Sequence, residues 1–380
     1  MSLKVLMIGP YPAPGRSVSG GVERVIQTLL PVLGMRVELT LLVPNADRDM
    51  EVSEFGARVV YLKRTKGLGV LSYWQADARR IRDFVLKAQP DVVHLQGSGG
   101  WGRLVSSPKI LTVHGIAHRD ILTSRRGQRW GRVLSVLAAQ LVKVIERRAR
   151  QAIGNVIVIN PYVLDVYPDI AKRKHWLIPN PADPVFTGFV SDLPVVREKK
   201  IVIVGKVGSR KNTLEGVRLA CDVLRDEPEA SLSVAGDTSD KAYLAQCQAI
   251  ATASGVGDRV GFMGNLDTCD LIRLYDRASL LLMTSRQETA PMAIIEAQSR
   301  GVAVVAPACF GIPAMIKDQK NGRFLTNDGF EADVSLLRDA LRHEWDRIEI
   351  AEIARSEYSA KAVADATLRA YKDVLCPGGA

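Results

Sequence analysis

The chain has 380 residues, of which 47% are hydrophobic and 24% charged, with a mean hydropathy of +0.04. This is the composition of an ordinary folded, soluble protein with length for roughly two to three domains, and no apolar run reaches the length of a membrane span. A net charge of +10 and a pI near 9.4 call for an anionic partner: nucleic acid, a phosphorylated small molecule or a membrane surface.

Met1-Ser2-Leu3-Lys4-Val5 runs straight into an apolar strand pattern without the layout of a signal peptide, so a cytoplasmic location is expected. Short β-branched runs then alternate with helical patterns, the signature of parallel α/β sheets. The first half gives strands at 4–9, 37–43, 58–62, 91–96, 109–114, 155–159 and 176–179. Several are continuously apolar, as strands covered on both faces should be. Val22, Val25, Ile26, Leu29 and Leu30 share one face of a helix over 21–33. A polar, proline-bearing stretch from Asn180 to about 198 separates this series from a second. The second has strands at 201–204, 231–235, 260–263, 280–284, 302–306 and 323–325. The fold class is therefore α/β, two Rossmann-like doubly wound domains. They are expected over 1–185 and 186–360, with a C-terminal helix and tail, 361–380, that crosses back towards the first. A ligand is expected between them, at the carboxyl ends of the strands.

Five cysteines form no C-x-x-C pair and five histidines show no metal-ligand spacing, so no protein-bound metal is expected. Gly97-Ser98-Gly99-Gly100-Trp101-Gly102 has the G-x-G-x-x-G form of a dinucleotide fingerprint. Pro108 and the next strand follow too soon for the helix that such a fingerprint needs, so a glycine-rich loop is the better reading.

Ser19-Gly20-Gly21-Val22-Glu23 opens the first long helix, with glycines that let backbone approach a ligand and N–H groups that attract phosphate. A loop that merely starts a helix, capped by Ser19, fits equally well. Gly205-Lys206-Val207-Gly208-Ser209-Arg210-Lys211-Asn212 sets three cations at a strand's carboxyl end, as a diphosphate clamp or as a solvated basic loop. Thr284 to Glu296 is the most informative stretch. Pro291 is suited to be the first residue of a helix, and Ala290 at the cap has no side chain to satisfy Met292 and Ala293 N–H, leaving both open to an anion. Glu288 and Glu296 are placed to accept hydrogen bonds from sugar and ribose hydroxyls. Glu296 lies among Ile294, Ile295 and Ala297, where a carboxylate without a partner is costly.

Glu288 and Glu296, with seven residues between them and followed by Arg300-Gly301-Val302-Ala303-Val304-Val305-Ala306, resemble the E-x7-E signature of retaining GT-B glycosyltransferases of family 4. The likeness runs from about residue 8 to 326. It takes in Ser19–Glu23, Asp91-Val92-Val93-His94, Thr112-Val113-His114-Gly115, Ile178-Pro179-Asn180-Pro181, and Gly205-Lys206 with Lys211. The resemblance implies a nucleotide-diphosphate sugar as donor substrate and no cofactor. Gly20 and Gly21 would approach the diphosphate, and Lys206 and Lys211 would neutralise it. Glu288 would hold the transferred sugar, Glu296 the ribose, and His114 would lie near the reacting centre. It also implies retention of configuration, without an Asp-x-Asp metal site and without Glu288 as nucleophile. The acceptor would be a glycan, glycolipid or small-molecule hydroxyl.

Three places depart from the family pattern. Thr289-Ala290-Pro291 replaces its Gly/Phe-rich residues, Phe310-Gly311-Ile312-Pro313-Ala314 replaces Gly-Gly-x-Pro-Glu, and Lys206 stands for an arginine. A sugar-nucleotide epimerase shares the architecture but needs no acceptor, and a non-catalytic donor- or partner-binding relative also fits. Nucleic acid is not expected as a partner, since aromatics are 6% and no RNA or DNA motif occurs. Residues 119–151 carry nine Arg and Lys against Asp120 and Glu146, with Trp130, Leu134, Leu137, Leu141 and Val144 at helical spacing. This stripe either packs on the first sheet or lies on an anionic membrane at the inner face of the cell.

Overall fold

The computed structural model describes residues 2–16, 18, 20–65, 69–97, 99–124, 129–188, 198–326 and 328–376. The chain divides into two compact units, one of Met1–His118, Leu137–Asp183 and Tyr358–Ala380, the other of Arg119–Val136 and Pro184–Glu357.

The first unit is built on β1 (Lys4–Ile8), β2 (Glu38–Ala46), β3 (Met50–Glu54), β4 (Ala57–Lys63), β5 (Val92–Gln96), β6 (Lys109–Val113), β7 (Asn155–Val158) and β8 (His175–Leu177). Its sheet runs β3-β4-β2-β1-β5-β6-β7-β8, parallel throughout except for the antiparallel β3–β4 pair. The parallel strands are apolar along their length because helices cover both faces. Its helices are α1 (Gly21–Gly34), α2 (Gly69–Ala88), α5 (Tyr162–Val166) and α6 (Pro168–Ala171), together with α4 (Arg129–Ile153) from Leu137 onward; α3 (Ala117–Ser124) from Arg119 and α4 as far as Val136 are counted with the second unit. The face expected from periodicity is the one α1 buries, with Val25, Ile26, Leu29 and Leu30 all inside and Leu33 extending it. After β5 the glycine-rich loop makes only a short 3-10 turn, Gly99–Leu104, before β6, so no dinucleotide-binding helix follows it.

The second unit centres on β9 (Lys200–Val204), with β10 (Ser231–Ala235), β11 (Val260–Gly264), β12 (Leu280–Leu282), β13 (Ala303–Pro307) and β14 (Gly322–Leu325) in the order β11-β10-β9-β12-β13-β14, all parallel. Around it lie α7 (Thr213–Asp226), α8 (Lys241–Ala253), α9 (Thr268–Arg277), α10 (Met292–Ser299), α11 (Phe330–Arg342) and α12 (Arg347–Tyr358). Val217, Leu224, Leu232, Val234, Leu282, Val305 and Leu337 are among its core residues.

Some boundaries differ from the sequence reading. β3 adds a strand to those expected: an edge strand whose burial merely alternates gives no apolar run. β12 stops at Leu282 and β8 at Leu177, short of the expected 284 and 179. Pro179 and Pro181 cannot donate to a ladder. Ser19, Ser98, Arg125, Arg126 and most of the stretch expected to separate the domains lie outside the described residues, as do the side chains of Arg129, Trp130, Arg132 and Leu134.

The final helix, α13 (Ala360–Leu375), returns to the first unit and buries Val363, Ala364, Thr367, Ala370 and Tyr371. Tyr371 Oη lies 2.6 Å from His94 Nδ1, and His94 Nε2 lies 2.7 Å from Thr112 Oγ1. Both side chains are buried, so removing one partner leaves a polar group dry and unpaired. Tyr371→Phe is expected to lower stability by about 1–3 kcal/mol in urea unfolding. An unchanged midpoint would show that this hydrogen bond does not hold α13.

Candidate functional site

In the second unit the sheet order reverses at β9, with β10 and β11 on one side and β12 to β14 on the other. Loops leaving neighbouring strands at such a switch point diverge and open a crevice at the carboxyl ends. Here they are 205–212 after β9 and 283–291 after β12. They bring together two of the residues picked from sequence: Lys211 Nζ is 2.6 Å from Glu288 Oε1. Arg210 Nη1 is 3.8 Å from the same oxygen. The Lys211 and Glu288 side chains are only 15% and 8% exposed. An ion pair so far out of water adds little net stability, because desolvation offsets the attraction.

Backbone and side-chain contacts knit the two loops. Arg286 N–H donates to the Arg210 carbonyl at 2.9 Å, and Arg210 Nη1 to the Gln287 carbonyl at 3.3 Å. Thr284 Oγ1 donates to the Asn212 carbonyl at 3.0 Å, and Gly311 N–H to the Glu288 carbonyl at 3.1 Å. Glycines make room for this arrangement. Gly205 has φ of 140°, and a Cβ there would sit 2.9 Å from Lys211 Cε. Gly236, with φ of 142°, lies so close that a Cβ would fall 2.0 Å from the Gly205 carbonyl oxygen. The lysine stem therefore lies across a loop that only glycine can form. Phe310, where the family pattern has glycine, has φ of 57°, a left-handed conformation uncommon outside glycine. The departure at that position leaves the loop against Glu288 in place.

The start of α10 corrects one detail. Pro291 is the N-cap and Met292 the first helical residue; Ala290 lies before the cap. Pro291 has ψ of 121°, extended and not helical, and its carbonyl accepts from Ile294 N–H at 3.1 Å. No side chain caps the helix, so the N–H groups of Met292 and Ala293 are the ones aimed outward from the first turn, the same two expected from the sequence. Tyr275, fully buried on α9, donates to the Ala293 carbonyl and to Glu296 Oε2, each at 3.4 Å. Glu296 itself is 3% exposed, held from the protein side.

Lys206 stands apart from Lys211. Its ammonium is exposed and lies 3.1 Å from Asp237 Oδ2, on the loop after β10. That contact, with Ser239 N–H and Oγ behind it, holds the Asp237 carboxyl below the usual carboxylate range.

In the first unit, Gly20 is the N-cap of α1 and Gly21 its first residue; a Cβ on either would meet nothing within 4 Å. The protein's own packing does not require glycine there. After β6, His114 Nε2 lies 2.6 Å from Gln96 Oε1. Gln96 Nε2 points to Met7 Sδ at 3.8 Å, which turns its oxygen to the histidine and fixes the imidazole proton on Nε2. Nδ1 is buried, and burial pushes the His114 pKa down to about 4, with Asn180 pulling the other way. At neutral pH the ring is uncharged. His94, Gln96, Thr112, His114 and Asn180 line a cavity of about 20 Å³, room for roughly one water. A separate open groove of about 440 Å³ follows β1 and β2, lined by Tyr11, Arg16, Glu23, Asn45, Asp47 and Tyr61. Arg16 and Asp47 pair across it at 2.8 Å.

Asp237, Gln96 and Tyr275 were not picked from the sequence. Each acts through a partner distant in the chain: strand adjacency brings Asp237 to Lys206 and Gln96 to His114, while Tyr275 reaches Glu296 from one helix to another. Asn180 belongs to Ile178-Pro179-Asn180-Pro181 and faces His114, which nothing local to that motif encodes.

Residues 19–186 match the family model described as Glycosyltransferase Family 4, and residues 190–357 match the model described as Glycosyl transferases group 1. A sulfoquinovosyl transferase of Arabidopsis thaliana is 34% identical over 164 residues, 42% of this chain and 30% of that protein. A D-inositol 3-phosphate glycosyltransferase of Segniliparus rotundus is 28% identical over 187 residues, 48% of this chain and 41% of that protein. The matched stretches thus span less than half the length of these curated relatives. Among solved structures, a sucrose-phosphate synthase of Thermosynechococcus elongatus superposes with a TM-score of 0.75 at 16% identity, covering 99% of this chain and 100% of that one. Anabaena HepE in complex with UDP-glucose gives 0.67 at 15% identity, covering 98% and 100%. At such identities the likeness establishes the fold.

The depressed His114 pKa has a consequence for stability. Between its ordinary 6.5 and about 4 the unfolded chain binds a proton that the folded chain refuses. His94, pushed by burial to about 3, adds in the same sense. Stability should therefore fall as pH drops through this window, and His114→Gln should make the fall shallower in urea unfolding followed against pH. Identical slopes for parent and variant would contradict the assignment.

Proposed function

We propose that this chain, which belongs to the GT-B glycosyltransferases of family 4, moves a sugar from a nucleotide-diphosphate sugar to a hydroxyl of a glycan, a glycolipid or a small molecule. The observation that carries the reading is the Lys211–Glu288 pair with Arg210 beside it, at the switch point of the second sheet. Cations and a carboxylate held in one crevice match the two halves of such a donor, a diphosphate and a polyhydroxylated sugar. HepE, which shares the fold, has structures with UDP and with UDP-glucose, and this supports a uridine nucleotide as the first donor to try.

In this reading the glycosidic bond to the diphosphate lengthens first, and negative charge builds on the leaving phosphate. Lys211 and Arg210 stabilise that charge, Lys206 adds a more exposed cation, and the Met292 and Ala293 N–H groups add a helix N-terminus. Positive charge from the protein thus serves where a metal ion could otherwise stand, and no protein-bound metal or other cofactor is invoked. As phosphate engages Lys211, Glu288 is released to accept hydrogen bonds from the sugar hydroxyls. Glu296, already fixed by Tyr275, accepts from the ribose. The acceptor oxygen attacks on the face that the diphosphate leaves and gives its proton to the departing phosphate oxygen, so configuration is retained and Glu288 is not a nucleophile.

Gly20 and Gly21 keep the diphosphate-approaching role that the resemblance implies. Neutral His114, with Nε2 committed to Gln96, acts near the reacting centre as a positioned ring and not as a charged acid. Glu23 and Asp47 in the groove after β1 and β2 can accept hydrogen bonds from an acceptor's hydroxyls.

Lys211→Ala is expected to lower turnover of a UDP-sugar by about a hundredfold or more, the order seen when one stabilising donor is removed from a transition state. Glu288→Gln should lose activity while keeping UDP binding, read as a thermal shift with UDP. Full transfer activity in both variants would sink the reading. Conversion of the nucleotide sugar without any acceptor would replace it with epimerase chemistry.

A further inference from the structure

Helix α4 is apolar on two faces. Ala139, Ala149 and Ile153 are buried. On the opposite side Leu137 and Leu141 are 62% and 63% exposed, and Val144 is 46% exposed. Their spacing of four and three residues makes one continuous stripe. Single exposed aliphatics need no explanation, but a contiguous exposed stripe marks a contact surface.

Charge on the same helix is sorted to match. Glu146, its one acidic residue, turns inward to Ala117 N–H at 2.9 Å, His118 Nδ1 at 2.8 Å and Tyr167 Oη at 2.8 Å. Arg150 is also buried, 3.1 Å from Asp169 and with its guanidinium 3.6 Å from the Tyr167 ring centroid. Lys143, Arg147 and Arg148 remain on the outside, all exposed. The outward face therefore carries aliphatics and cations and no acid.

We infer that this face of α4 docks on the surface of an anionic lipid bilayer. The helix lies in the membrane plane, with Leu137, Leu141 and Val144 in the headgroup–acyl boundary and Lys143, Arg147 and Arg148 on lipid phosphates. A second copy of the chain fits poorly, because a two-fold contact through this face would set cations against cations. Nucleic acid would use the cations and leave the aliphatic stripe in water. The inference stands apart from the donor reading, since the stripe and its cations belong to α4 and the donor loops follow β9 and β12.

The test is flotation of the full chain with vesicles of phosphatidylcholine alone or phosphatidylcholine mixed with phosphatidylglycerol. Binding is expected to the anionic vesicles only, with release by high salt. The triple variant Leu137→Ser, Leu141→Ser, Val144→Ser and the triple variant Lys143→Gln, Arg147→Gln, Arg148→Gln should each reduce the bound fraction at least about tenfold. Because all six side chains are exposed, melting temperatures and the shift produced by UDP should match the parent. Equal binding to both vesicle types, no binding, or variants that bind like the parent would overturn the inference. So would a concentration-dependent dimer in sedimentation that the aliphatic variant abolishes.

Discussion

Lys211 and Glu288 meet because two loops from adjacent strands of one sheet are forced to the same place. β9 and β12 are neighbours in space but separated in sequence by two complete strand–helix units. The lysine can cross the β9 loop only because residue 205 has no Cβ, and Gly205 can take its conformation only because Gly236 leaves its carbonyl room. Much of the surrounding architecture follows from keeping that contact. Arg286 and Arg210 tie the loops through backbone, Gly311 anchors the Glu288 carbonyl, and Tyr275 fixes the first turn of α10 from behind. The result is a lysine and a carboxylate paired at 2.6 Å and largely out of water.

Much of this was legible in the sequence for a simple physical reason. Parallel strands covered on both faces must be apolar throughout, so β1, β5, β9 and β13 stand out as short Val/Ile/Leu runs. Their carboxyl-end loops can then be located, and Lys211 and Glu288 fall in them. The edge strand β3 escaped because Met50-Glu51-Val52-Ser53-Glu54 alternates with charge, and its turn at Phe55-Gly56 takes positive φ at both residues without the usual Asn-Gly. Pro291 escaped in a different way. Proline favours the first helical position, but here its ψ stays extended and it caps the helix. Pairings such as Lys206 with Asp237 or His114 with Gln96 depend on which strands lie side by side, and no local pattern encodes that.

The two units use charge differently. In the second, Lys206, Arg210, Lys211 and Arg286 lie on the loops that follow β9 and β12. In the first, the buried His94 and His114 are kept neutral, and the cations of α4 face outward while its single acid faces in. Both groups of cations contribute to the net charge of +10. α13 closes the first unit through Tyr371 and His94, so the end of the chain helps to fix the strand that carries Gln96, the partner of His114.

The central claim is that the diphosphate of a nucleotide sugar sits on the loops after β9 and β12. Amide hydrogen exchange of the full chain with and without UDP tests it directly. Slowed exchange across 205–212 and across 286–294, including the Met292 and Ala293 amides at the start of α10, is the result expected. UDP binding that leaves both segments unprotected, or that protects only residues of the first unit, would contradict it.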